Sequence, residues 1–209
     1  MSLKTLLIET ATERGMCACF QGEKELFTLR LPFGLQQGQQ LLAELNKKLQ
    51  EEGIPLQTIG AVAVGVGPGS YTGIRIAATI GKMLSFGLKI PLVGVSTLET
   101  FAPEAEGKFG AVLDAKIGGI YLQLGEKKGE NVLFSTPPQM VSVETALPLL
   151  EGRILVSPDC KPLKIKLHHT GPWEEAPPSS RLMAHRAETL LQEGKGATNG
   201  TLNLLYLRS

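Results

Sequence analysis

The stretch Gly65 to Leu88, GVGPGSYTGIRIAATIGKMLSFGL, constrains the fold of this 209-residue chain more than any other. Gly65, Gly67, Pro68 and Gly69 crowd into five residues, as a backbone needs where it turns sharply or passes close to something else. Ser70 or Thr72 can cap a helix there. No proline follows before Leu88, so about 27 Å of helix fits at 1.5 Å per residue. At about 100° per step two apolar faces separate. Ile76, Ile80, Met83 and Leu84 form a bulky face suited to a core. Ile74, Ala77, Ala78, Gly81 and Ser85 form a shallow one, and Arg75, Thr79 and Lys82 make the polar ridge. Small residues at spacing four (Gly73, Ala77, Gly81, Ser85) let another backbone approach closely. The shallow face therefore awaits a partner, either an element of the same domain or a second protein.

Composition narrows the class. Apolar residues make up 43% and charged residues 20% of the chain, the profile of a soluble globular protein able to bury a core. A formal net charge of +1 supplies no global drive toward nucleic acid or membrane, so such a contact must be local or come through a partner. Cys17, Cys19 and Cys160 cannot close a disulfide set and read as reduced, buried and cytosolic. No signal peptide and no membrane span is expected, since the apolar run Leu6 to Ile8 is short and followed by Glu9.

In chain order, Thr5–Glu9, Met16–Phe20 and Glu25–Arg30 predict a three-stranded meander. Gln37–Glu51 predicts a helix with Leu41, Leu42, Leu45 and Leu49 on one stripe. Ile59–Val64 is a strand leading into the glycine turn. After the long helix, Pro91–Val95 supplies another, and Ser96 can cap a helical turn. Composition shifts at Pro103–Lys108, dividing the chain into an N-terminal lobe, residues 1–102, and a C-terminal lobe, 103–209. The second part echoes the first. Val112–Asp114 is again an apolar run ending in an acid, followed by a glycine turn and the strand Ile120–Leu124, so Glu9 and Asp114 hold equivalent places in two copies of one pattern. Asn131–Ser135 then reads as a strand, Val143–Leu150 as a helix, Arg153–Val156 as a strand, Gly171–Ser180 as a proline-rich loop holding Trp173, and Leu182–Glu193 as a helix. Lys164, Lys166 and His168 alternate with apolar residues, as on one face of an edge strand, with an RNA-contacting patch as the lesser alternative.

The chemistry is sparse. The glycine turn lacks the Gly-Lys-Ser/Thr of a Walker loop and the glycine spacing of a dinucleotide fold, although a helix start can hold an anion. Duplicated acid-ending strands point to an actin-like ATPase architecture, in which two such turns grip ATP phosphates and magnesium. Here Ala11 stands where close approach favours glycine, which degrades phosphate gripping and leaves Glu9 and Asp114 two readings, a vestigial phosphate or magnesium site or strand-end acids that hydrogen-bond the following turn. All three histidines come late and none forms a helical metal pair. Ser70 is not in a GxSxG elbow. No catalytic set is recognisable.

GVGPGSYTGIRIA, with LLIETATE near the start, GVSTLE at Gly94–Glu99, LDAKIGGIY at Leu113–Tyr121 and YLR at Tyr206–Arg208, resembles the TsaB (YeaZ) family. That resemblance implies an α/β, actin-like (ASKHA) duplicated fold of two lobes, each a mixed sheet flanked by helices. It implies a non-catalytic scaffold and activator in making threonylcarbamoyladenosine beside the tRNA anticodon. The implied partners are a TsaD-like catalytic paralogue and a TsaE-like ATPase, with tRNA reached through the complex and a homodimer formed when alone, all in the cytoplasm. No cofactor is implied beyond a nucleotide at the partner interface. Carried onto this sequence, that interface comprises Ile74, Ala77, Ala78, Gly81 and Ser85, with the Gln37–Glu51 helix beside it. Two rival readings are an independent actin-like ATPase or kinase and, more weakly, a peptidase.

Overall fold

The computed structural model describes residues 2–31, 37–116, 118–198 and 200–207, arranged on two sheets. The first opens with β1 (Lys4–Glu9), β2 (Met16–Gln21) and β3 (Lys24–Arg30), an antiparallel meander. Then come α1 (Gln37–Glu51), β4 (Ala61–Gly65), α2 (Tyr71–Leu88) and β5 (Leu92–Val95), with β4 parallel to both β1 and β5. The apolar runs Leu6–Ile8 of β1 and Ala61–Val64 of β4 do not alternate with polar residues because helices cover both faces of this sheet.

The second sheet repeats the plan with β6 (Gly107–Asp114), β7 (Ile120–Lys128) and β8 (Asn131–Phe134) as the meander. A short β9 (Gln139–Val141) also pairs with β7, and α3 (Val143–Leu150), β10 (Ile154–Ser157), α4 (Cys160–Leu167) and β11 (Trp173–Glu175) follow. The strand orders β3-β2-β1-β4-β5 and β8-β7-β6-β10-β11 correspond position by position. The duplication read from two acid-ending strands is therefore a duplication of whole sheets.

The division at residue 103 needs correction. α5 (Ser180–Gln192) returns to the first sheet, where Met183, Ala187 and Leu190 pack on Leu7, Met16, Ala63 and Val93. Ala197 exchanges two 3.0 Å backbone hydrogen bonds with Leu92, and Leu205 N donates to Val66 O at 2.8 Å. The cause is the second apolar face of that sheet, which no helix among the described residues of 1–102 covers. Two further corrections fall in the second half. Leu163–Leu167 belongs to α4 and not to an edge strand, and Trp173 lies on β11, its indole packed on the core and its Nε1 donating to His169 O at 3.3 Å. Of the motif residues quoted above, Ile117 and Arg208 lie outside the described residues.

α2 reverses the expected roles of its faces. Ser70 caps it, accepting from Gly73 N at 3.3 Å, and its small residues point at their own sheet. Ile74, Ala77, Ala78, Gly81 and Ser85 are all buried there. A methyl on Gly81 would overlap Val64 Cγ1, and Ser85 Oγ donates to Ile90 O at 2.6 Å to close the helix end. These residues are thus the seat of the helix on β4 and β5, not an open surface. Of the bulky set only Ile80 is buried; Ile76 and Leu84 are half-buried, and Met83 is 57% exposed. Phe86, which belongs to neither of the two apolar faces read from periodicity, is 77% exposed. On α1 the buried stripe is Leu41, Leu45 and Leu49, with Leu42 exposed, because a helix flanking a sheet needs only one narrow contact row.

Alanine at Gly81 and at Gly87 should act in opposite directions. Overpacking against Val64 at Gly81 costs about 1–3 kcal/mol, exceeding a helix-propensity gain of at most ~1 kcal/mol, whereas Gly87 has open space around it and keeps the gain. Urea melts should give a lower midpoint for Gly81→Ala and a slightly higher one for Gly87→Ala.

Candidate functional site

The repeated topology brings two similar corners face to face. In each, a turn after the acid-ending strand meets the start of a helix: the β1–β2 turn with α2, and the β6–β7 turn with α4. Between them lies a cleft of about 510 Å³, lined by residues 10–13 and 69–73 on one side and 113–116 and 157–159 on the other. Its walls carry the hydroxyls of Thr10, Thr12, Ser70, Thr72 and Tyr121. Beside it, Arg14 of the first corner pairs with Glu175 of β11, which also accepts from Cys160 N at 3.3 Å.

Glu9 does not line the cleft. Its carboxylate is fully buried at the end of β1, with Oε1 accepting from Ala11 N at 2.6 Å and Oε2 from Thr97 Oγ1 at 2.9 Å. It lies against Gly65, where a Cβ would collide with it, so that glycine is required by the acid. Burial pushes the Glu9 carboxyl up from 4.5 to about 7, with the hydrogen bonds from Ala11, Thr97 and Thr10 only partly opposing it. Glu9 thus ties the β1–β2 turn to the turn at Thr97–Thr100.

The glycine turn is equally committed. Ser70 N donates to Ala11 O at 2.6 Å, Thr10 Oγ1 donates to Gly73 O at 2.7 Å, and Thr97 N donates to Gly67 O at 2.8 Å. A methyl on Gly69 would strike Ala11 O, and one on Gly73 would strike Thr10 O. These glycines exist for backbone-to-backbone contact with the β1–β2 turn, and that contact occupies the space and the N–H group that a phosphate would need.

Asp114 does reach the cleft, but it is engaged. Lys116 N donates to its Oδ1 at 2.9 Å, and Lys166 Nζ, from the last turn of α4, donates to the same oxygen at 2.6 Å. Lys166 Nζ also donates to Lys116 O at 3.0 Å and Gly119 O at 2.9 Å. Partial burial raises the Asp114 carboxyl, but the Lys166 and Lys116 contacts outweigh it and hold it below its usual range. Lys116, at φ 61°, extends a largely exposed ammonium 3.9 Å from Oδ2.

The magnesium and phosphate roles considered for Glu9 and Asp114 therefore do not fit. One acid is sealed off and the other carries an internal ammonium. Reading Lys166 as an edge-strand residue hid it; its spacing within a helix beginning at the Asp159 cap is the signal that would have found it. None of the three histidines lines the cleft. Among the described residues no group of three His, Cys, Asp or Glu side chains is placed to hold a metal. Cys17 and Cys19 are buried, which pushes their thiols up to about 12 and about 11 and removes thiolate chemistry.

The family model described as TsaD, tRNA N6-adenosine threonylcarbamoyltransferase, matches residues 36–163, more than half of the chain. The tRNA threonylcarbamoyladenosine biosynthesis protein TsaB of Escherichia coli K12 is 37% identical over 127 residues, covering 57% of this chain and 53% of that protein. TsaB of Buchnera aphidicola subsp. Schizaphis graminum is 33% identical over 141 residues, 65% of this chain and 66% of its own length. The chain belongs to the TsaB (YeaZ) branch of the TsaD family. It spans about half to two thirds of the length of these curated relatives. The solved structure of YeaZ from Pseudomonas aeruginosa superposes with a TM-score of 0.84 at 22% identity, covering 99% of this chain and all of that one. This TsaB-family chain thus has the α/β, actin-like duplicated fold of two mixed sheets flanked by helices.

The buried acid generates a pH dependence. Between 4.5 and about 7 the folded chain holds a proton on Glu9 that the unfolded chain has released, so the stability tied to Glu9 falls as pH rises through that window. The full difference is about 3 kcal/mol. Comparing chemical melts at pH 5 and pH 8, Glu9→Gln should lose less stability than the parent across that interval; equal losses would show that Glu9 does not titrate there.

Proposed function

We propose that this chain is a non-catalytic scaffold and activator in tRNA threonylcarbamoyladenosine formation, holding a TsaD-like catalytic paralogue. One observation carries the reading: both acids of the duplicated turns are committed inside the fold, while α2 turns Phe86 and Met83 outward, 77% and 57% exposed. Large apolar side chains on a helix shared with the core are suited to burial by a partner. The names of the relatives supply the pathway, and the commitment of the acids argues against chemistry of its own.

The interface moves accordingly. Ile74, Ala77, Ala78, Gly81 and Ser85 shape it from beneath by seating α2, and its contact residues are Met83 and Phe86, with Leu42 of α1 on the same side of the sheet. A TsaE-like ATPase and tRNA join through the assembled complex, and a second copy takes the partner's place when the chain is alone. A nucleotide, where one is used, belongs to the partner interface. The site of action is the cytoplasm; among the described residues no helix is long and apolar enough to cross a membrane.

The hydroxyl-lined cleft favours an independent actin-like ATPase as the second reading, which would have to displace Lys166 from Asp114 to use that acid. It requires turnover by the isolated chain that is lost in Asp114→Ala; an inactive pure chain retires it.

Phe86→Asp should cut co-purification with the TsaD-like partner at least 30-fold, about 2 kcal/mol, and fail to restore threonylcarbamoyladenosine in cells lacking this chain. Leu133→Asp, at a 70% exposed position on β8, should leave both unchanged. Normal partner binding and normal modification with Phe86→Asp would reject this interface.

A further inference from the structure

We propose that the β6–β7 turn is a cation site whose resident cation is the ammonium of Lys166, an intramolecular replacement for a divalent ion. Three oxygens converge on Nζ: Asp114 Oδ1 at 2.6 Å, Lys116 O at 3.0 Å and Gly119 O at 2.9 Å. An ammonium has three protons and no acceptor, so these three contacts use its whole hydrogen-bonding capacity. One carboxylate and two backbone carbonyls are also the hard oxygen set that calcium, magnesium or manganese selects.

The turn is built around that cation. Gly119 takes φ 135° and Lys116 takes φ 61°, and the carbonyls of these two residues both reach Lys166 Nζ. Lys116 N meanwhile donates to Asp114 Oδ1, fixing the carboxylate within the turn. α4 delivers the ammonium from its last turn, where a positive charge also suits the helix dipole. Lys166 and Asp114 are 24% and 18% exposed, so the pair is screened by solvent far less than a surface salt bridge. Among the described residues no ammonium meets the acid of the first corner, where Glu9 is satisfied by an amide and a hydroxyl.

Two consequences follow. A divalent ion cannot take this position on Asp114 without expelling Lys166. Removing the ammonium should hand its three oxygens to a hydrated ion. The inference concerns the isolated chain and stands whether or not the chain acts on tRNA.

Manganese, as a paramagnetic probe, tests it directly. In the parent chain, manganese should leave the amide signals of Asp114 and Gly119 sharp. In Lys166→Ala the same concentration should broaden them, with manganese affinity by electron paramagnetic resonance rising at least tenfold, and Asp114→Asn added to Lys166→Ala should abolish the gain. Broadening in the parent, or no gain in a folded Lys166→Ala variant, would overturn the proposal. Should Lys166→Ala fail to fold, the parent still decides. Its Lys166 ammonium nitrogen should give a slowly exchanging NMR signal that Asp114→Asn removes; a fast-exchanging, solvent-like ammonium would refute it.

Discussion

Close backbone contact between the β1–β2 turn and the start of α2 is the constraint on which the rest of the first lobe depends. It exists because Gly69 and Gly73 have no side chains to hold the turn away. With Ser70 N bonded to Ala11 O, the helix is pinned at its first turn, and its direction is then set by the small residues that lie on β4 and β5. A helix seated so closely gains dispersion contact along its length instead of bulky burial. The cost falls on the outer side, where Met83 and Phe86 have nowhere inward to go.

The same contact explains the character of the cleft. In an actin-like fold the two turns must leave room and free N–H groups for phosphate. Here the first turn has closed on its neighbouring helix, and the second is filled by Lys166. Each corner is satisfied by groups of the chain itself, and the acids that would mark a catalytic centre act as structural ties. Glu9 joins two turns from a fully buried position, and Asp114 joins a turn to α4.

Much of the architecture was legible from local pattern. The bounds of α2, the meander, the leucine row of α1 and the duplication of acid-ending strands all follow from periodicity, glycine placement and capping residues, which act over a few positions. The motif resemblance led to the family that the comparisons also give. Lys166 and α4 were misread because CKPLKIKL alternates like a strand, and only the Asp159 cap and the contact with Asp114 favour the helix. The site residues assigned to α2 went astray for a related reason: periodicity sorts residues into faces but does not say which face meets the sheet.

The sequence by itself determined most of the elements of the first sheet and the duplicated order of acid-ending strands, since propensity and capping are local properties. Only the tertiary structure decided that the shallow face of α2 lies inward, that α5 and the segment after it return to the first sheet, and that Lys166 meets Asp114. Each of these joins residues distant in the chain, and the competition between surfaces for the same apolar face is settled by packing, which no single segment encodes.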